Sequence, residues 1–263
     1  MTGTYERTPP SVRRGAPTPP SDRRWFWHTE FSRADVVGIG VLVLLVVLVT
    51  VDVIIRGPLT RLDAATLSWV HVHSHGPLRD VMRVMSWVGD RWVVSIPLGI
   101  FSVLLAWRHR SLRPMMVAAL TCILLAIVVP GMKLIIGRTS PVTGHDAVFA
   151  GGDQFPSGHS ANGIVLWGLT IEYLAAMGRP IARVLTRRRR RILAICAGLA
   201  AGIGMIGIGG HWVSDVLAGW PLGAAVYILA LRFPPSALAD TPELIARPAG
   251  ASPAWRNPYA EPD

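Results

Sequence analysis

Six apolar stretches, separated by short polar breaks, organise the middle of the chain. They fall at about 36–55, 86–107, 115–136, 160–177, 192–208 and 213–231. Each is near the roughly 20 residues that a helix needs to cross a bilayer. The first, VVGIGVLVLLVVLVTVDVII, is the least interrupted. The fifth and sixth are joined only by a few residues around Gly209, Gly210 and His211, which predicts a tight hairpin. The pattern as a whole predicts an all-α integral membrane bundle of six transmembrane helices, spanning 34–232. Residues 1–33, rich in Pro, Arg and Ser with no early apolar core, read as a disordered tail and not as a signal peptide. Residues 233–263 read as a second tail.

Between the first two stretches, GPLTRLDAATLSWVHVHSHGPLRDVMRVM reads as amphipathic helices lying at the membrane interface. Trp69, Trp87, Trp92 and Trp212 are candidate interface anchors, or ordinary packing residues.

Composition sharpens this picture. The chain is 51% hydrophobic and 16% charged, too apolar for an ordinary soluble domain. Its net charge of +10 does not point to nucleic acid, because the arginines cluster in tails and short loops beside apolar runs. The N-terminal tail, RHRSLR after the second stretch and Arg187–Arg191 after the fourth all fall on one side of a six-span topology. The positive-inside rule makes that side cytoplasmic, with both termini. The Arg187–Arg191 run is also a candidate contact for anionic lipid. The opposite face then carries 56–85, 137–159 and 209–212. Cys122 and Cys196 lie within apolar stretches, which argues against a disulfide framework or zinc site.

The candidate chemistry collects on the outer face. FPSGHS, 155–160, stands where the fourth helix begins. A helix N-terminus offers unpaired N–H groups and the positive end of its dipole to an anion. Ser157 adds a hydroxyl, Gly158 permits close approach, and His159 can exchange a proton. The alternative is a plain helix cap. His211 and Asp215, four apart, share a helical face, where a carboxylate on one imidazole nitrogen leaves the other nucleophilic. The alternative there is a structural His–Asp pair. Lys133, the only lysine, ends the third stretch on the same side.

PSGH at 156–159, HWVSD running into VLAGW at 211–220, and Lys133 in KLIIGRTSP resemble, in this order, the motifs of the type 2 phosphatidic acid phosphatase (PAP2) family. The resemblance covers about 36–232. It implies a six-helix fold of PAP2 type and a phosphatase that needs no metal or other cofactor. His211 would form a phosphohistidine, Asp215 would orient it, and His159 would protonate the leaving oxygen. Lys133, Ser157 and Gly158 would hold the phosphoryl oxygens. The implied substrate is a lipid phosphate or diphosphate, of phosphatidate-like or polyprenyl type, met at the outer leaflet. The readings beside hydrolysis are a lipid phosphotransferase and a degenerate lipid-phosphate binder.

Two motifs depart from the family pattern. Ser140 stands where its first motif has Arg, and Gly204–Met205 stand where the third has Ser-Arg. At roughly 1.5–3 kcal/mol per charge-assisted hydrogen bond, two lost arginines remove about 3–6 kcal/mol of phosphate binding. Arg138 is the candidate replacement, with Thr139 and Ser140 as neutral substitute donors. Lesser candidates are His71, His73 and His75 as a strand-like metal comb, His145, Asp146 and Asp153 as head-group contacts, and Asp52 near the outer end of the first helix.

Overall fold

The computed structural model describes residues 31–232; both predicted tails lie almost wholly outside that range. The described chain is helical: α1 (Arg33–Ile54), α2 (Pro58–His73), α3 (Gly76–Trp87), α4 (Arg91–His109), α5 (Arg113–Ile136), a short 3-10 turn (Pro141–Thr143), α6 (Gly158–Ala176), α7 (Arg179–Val184), α8 (Arg187–Gly207) and α9 (Val213–Arg232). Among the described residues α1, α4, α5, α8 and α9 are long and apolar enough to cross a membrane. They present rows of apolar side chains outward, such as Val37 and Leu44 on α1 and Ile123 and Ile127 on α5. That is how a lipid-facing surface is built.

The apolar stretch expected as the fourth span forms α6, a helix of a different kind that is not among those apolar enough to cross a membrane by composition. It packs against α4, α8 and α9, and Ala161, Val165, Leu169 and Tyr173 are fully buried. Because protein surrounds it, α6 can carry Ser160, Asn162, Thr170 and Glu172, all buried. Glu172 pairs with Arg190 of α8 at 3.1 Å and accepts a hydrogen bond from the Tyr227 hydroxyl of α9.

Small residues set the spacing around α6. A Cβ on Gly163 would lie 2.9 Å from the Gly198 Cα, and one on Gly198 would lie 2.1 Å from Ile164. On α9, Gly219 faces the Ser157 carbonyl and Gly223 faces the Ala161 backbone in the same way. Backbones approach this closely in membranes through small residues four apart. Gly219 therefore also fixes the height of the α6 N-terminus.

Residues 58–87 form two helices, as expected, with α2 and α3 lying against α9 and α8. Asp52 does local work: its Oδ2 accepts the Leu59 N–H at the start of α2 (3.1 Å). Three expectations need correction. The second span starts at Arg91, not near 86, because Asp90 caps α4 by accepting the Trp92 N–H; Ser86 belongs to α3. The HVHSH stretch is mostly the end of α2, not a strand, and the His73 ring stacks on Trp69. Trp69, Trp87 and Trp92 are exposed, whereas Trp212 is 4% exposed and so is no interface anchor.

If the α6–α8 spacing depends on its glycines, Gly198→Leu should cost about 1–3 kcal/mol by overpacking. Thermal unfolding in detergent should show a clear drop for this variant and almost none for Ile195→Leu on the lipid-facing side of α8. Equal melting of the two would remove the close-packing argument.

Candidate active site

The site grows from three helix ends and one loop. Lys133 lies in the last turn of α5, which stops at Gly137 in a left-handed conformation. The chain then folds back on itself. The Phe149 N–H bonds to the Ile136 carbonyl, and the Ala150 and Gly152 N–H groups bond to the Gly137 carbonyl. Gly152 is required there, since a Cβ would lie 2.1 Å from the Arg138 carbonyl oxygen. Phe155 is fully buried among Val53, Ile136 and Ala218 and pins the loop before α6 begins.

Ser157 is the N-cap of α6. Its hydroxyl accepts from the Ser160 N–H (3.4 Å) and the Ser160 hydroxyl (3.1 Å), and its own N–H bonds to the Asp215 carbonyl (2.9 Å). The next two amides, of Gly158 and His159, have no acceptor among the described residues. They are the donors that a helix N-terminus offers to an anion.

The hairpin brings His211 to this point. Its Nδ1 lies 3.2 Å from Asp215 Oδ2, and Asp215 Oδ2 also accepts the Trp212 N–H at 3.0 Å. Nε2 is left as the ring nitrogen without a partner among the described residues. The His159 and His211 rings meet edge to face with centroids 6.1 Å apart. Lys133 is within electrostatic range of His159 and Asp215, and Asp90 of His159. Thus residues 159, 211 and 215 meet at one place, with Lys133 close enough to act on His159 and Asp215 electrostatically. Gly89 allows Asp90 to approach, because a Cβ there would lie 2.4 Å from the His159 carbonyl oxygen.

Arg138 occupies a different place from the one expected. It is fully buried, with all five N–H donors committed inside the protein. Nε donates to Asp146 Oδ1 (2.8 Å). Nη1 donates to Ser214 Oγ (2.6 Å) and Asp215 Oδ1 (2.8 Å). Nη2 donates to Asp63 Oδ2 (2.7 Å) and Asp146 Oδ2 (2.7 Å). A guanidinium has five donors, so none remains for a phosphoryl oxygen, and the phosphate-contact role expected for Arg138 does not fit this geometry. Its charge also lies 5.3 Å from the Trp212 ring centroid, within cation–π range.

The neutral substitutes are largely engaged as well. The Thr139 hydroxyl donates to the His145 carbonyl and accepts the Ala147 N–H (2.9 Å). Ser140 caps the 3-10 turn through the Val142 N–H. Asp146 belongs to the Arg138 cluster, while Asp153 stays exposed beside Gln154. His145 is exposed in the loop.

Residues outside the motifs complete the cluster. Asp63 of α2, 1% exposed, accepts the Ser214 N–H with Oδ1 (2.9 Å) and both the Ser214 hydroxyl and Arg138 with Oδ2. Burial pushes the Asp63 carboxyl above its ordinary range, and the bonds from Ser214 and Arg138 oppose that rise. Its only trace in the sequence is an acidic residue in an otherwise apolar helical repeat. A shallow niche lined by Thr66, Leu67, Val70 and Ile206 opens beside His211. Among the described residues, no group of three or more His, Cys, Asp or Glu is arranged to hold a metal ion; the three carboxylates here turn toward Arg138.

Met205, where the motif has Arg, is buried. It is 8% exposed within α8, and its carbonyl accepts the Gly210 and His211 N–H groups that shape the hairpin. Gly204 lies against α3, where a Cβ would meet the Ser86 nitrogen at 2.3 Å and the Met82 oxygen at 2.6 Å. A serine there would push α3 away.

Comparison with known proteins gives one family match and a match in fold. The PAP2 superfamily model matches residues 114–238. Among solved structures, a transmembrane PAP2-type phosphatidylglycerolphosphate phosphatase from Bacillus subtilis superposes with a TM-score of 0.57. It is 19% identical, over 74% of this chain and 95% of that one. No curated protein sequence gives a match. The motifs in their order, the match over 114–238 and the shared helical fold make the chain similar to the PAP2 superfamily, and its apolar helices are those of a multi-pass membrane protein.

Proposed function

We propose that the protein is a lipid phosphatase that works through a phosphohistidine on His211. One observation carries this reading: the His211–Asp215 pair faces the His159 ring at the amide-bearing N-terminus of α6. Nucleophile, orienting carboxylate, proton donor and anion-binding amides thus surround one volume. Phosphoryl transfer needs positioning and charge stabilisation above all.

In this scheme Asp215 holds the Nδ1–H tautomer, and Nε2 attacks phosphorus. The bond from phosphorus to the lipid oxygen breaks, and His159 supplies the proton that the departing oxygen takes up. His159 then accepts a proton from water as the water oxygen attacks the phosphohistidine, releasing phosphate and restoring His211. Lys133 and the Gly158 and His159 amides hold the non-bridging oxygens throughout. The Ser157 hydroxyl sits behind the amides as their cap.

Phosphatidate-like glycerolipids and polyprenyl phosphates or diphosphates are the substrate classes. A head group reaches the cluster from the bilayer surface while its tail stays between helices. Arginine placement puts the site outside and both termini in the cytoplasm. The non-enzymatic reading has one observation in its favour: Arg138 points inward to Asp215 and has no donor to spare, which leaves Lys133 as the main phosphate cation. The retained nucleophile–carboxylate pair favours turnover.

Purified protein should release phosphate from at least one of phosphatidate, phosphatidylglycerol phosphate and a polyprenyl diphosphate. His211→Ala should lower the rate by at least about a thousandfold, since it removes the nucleophile. Lys133→Met should lower it by roughly 10- to 100-fold, the value of one charge-assisted contact. Equal release by wild type and His211→Ala would remove the proposed nucleophile. Binding of these lipids without release would establish the binder. A separate check concerns orientation. With Cys122 and Cys196 replaced by alanine, Val142→Cys should react with a membrane-impermeant maleimide on intact cells, and Arg188→Cys only after lysis. The reverse pattern would invert the topology.

A further inference from the structure

We propose that Asp63, on the interfacial helix α2, is a positioning residue for the His211–Asp215 pair, acting through Arg138 and Ser214. The inference rests on the phosphatase reading for its kinetic consequences, but not for its geometry.

The argument starts from how few ways Asp215 has to turn. One oxygen, Oδ2, serves the His211 ring and the Trp212 N–H. It can do so in one orientation only, because Oδ1 is held by Arg138 Nη1 at 2.8 Å. Arg138 is in turn oriented by the other carboxylates: Asp146 takes Nε and one Nη2 proton in the bidentate geometry that guanidinium favours. Asp63 takes the other Nη2 proton at 2.7 Å.

Asp63 also grips the α9 start directly. Its Oδ1 accepts the Ser214 N–H, one of the orphan donors of the first turn. Ser214 Oγ donates to Asp63 Oδ2 and accepts from Arg138 Nη1. Asp63 therefore constrains Asp215 from two directions, through the guanidinium and through the residue immediately before it. Both the Asp63 and Arg138 side chains are fully buried, so solvent neither screens nor replaces these bonds.

The arrangement has a functional direction. Arg138 draws on Asp215, and a carboxylate fully engaged by a guanidinium stabilises an imidazolium less. Asp63 and Asp146 share that guanidinium and so leave Asp215 more available to His211. α2 thereby couples an interfacial segment to the nucleophile. The charged groups around His211 are Asp215 of α9, His159 of α6, Lys133 of α5, Asp63 of α2, and Arg138 and Asp146 of the loop.

The test compares Asp63→Asn with Arg138→Gln and with Asp52→Asn, which weakens the start of α2 without touching the cluster. The first readout is acylation of His211 by diethylpyrocarbonate in the full-length wild type and variants, followed by mass spectrometry across pH. Asp63→Asn removes a negative charge and should move the His211 profile to lower pH. Arg138→Gln removes a positive charge and should move it to higher pH. Asp52→Asn should leave it in place. The second readout is turnover, where Asp63→Asn should lower kcat by about 10- to 100-fold with KM little changed, and Asp63→Glu should recover part of the loss.

Shifts in the same direction for Asp63→Asn and Arg138→Gln, or a matching shift in Asp52→Asn, would overturn the proposal in favour of simple loosening of α2. An unchanged profile and unchanged kcat in a folded Asp63→Asn protein would overturn it as well. If wild type hydrolyses none of the lipids yet the two profiles move oppositely, positioning stands and the phosphatase reading falls.

Discussion

The arrangement around Asp215 depends on one buried guanidinium. Arg138 binds a carboxylate from α2, one from its own loop and one from α9, and a hydroxyl from α9 as well. Charges this far from water persist only when paired and fully hydrogen-bonded. Removing one partner of such a pair costs about 3–5 kcal/mol. Without Arg138, three aspartates would face one another, and the carboxylate that orients His211 would be the least constrained of them. The cluster is therefore a condition of the site's shape as well as a contribution to stability.

This use of arginine changes how the missing motif residues are understood. Judged by sequence, Ser140, Gly204 and Met205 are losses, and Arg138 is a near-miss that a loop shift could recruit. The fold gives each position other work. Ser140 caps a turn, Gly204 makes room for α3, the Met205 carbonyl organises the hairpin, and Arg138 braces Asp215. Positive charge has moved from the rim of the site to its foundation. On the proposed reading, Lys133 and backbone amides, which carry only partial charge, would face the phosphoryl group.

How much of this was legible in the sequence follows from the range of each interaction. The spans were legible because α1, α4, α5, α8 and α9 meet lipid and must be apolar along their length. The His211–Asp215 pair was legible because its spacing of four is local, and Ser157 and His159 because a helix start is marked by its cap. The start of α4 was misread because Ser86–Trp87–Val88 continues the apolar run, and the break depends on the cap at Asp90 and close packing at Gly89. The roles of Asp63 and Arg138 lay out of reach. Asp63 meets Ser214 across 151 positions and Arg138 across 75, and no periodicity encodes such a meeting. Asp146 was a candidate head-group contact, but the folded loop turns it inward onto Arg138.

The enclosure of α6 has a consequence for how the protein is made. On leaving the ribosome, this segment carries a glutamate and an asparagine, each costly on a lone helix in lipid. The arginine that neutralises Glu172 belongs to the next long helix, 18 residues later, and the tyrosine that completes the trio comes later still. The buried glutamate of α6 is therefore satisfied only by helices that follow it in the chain.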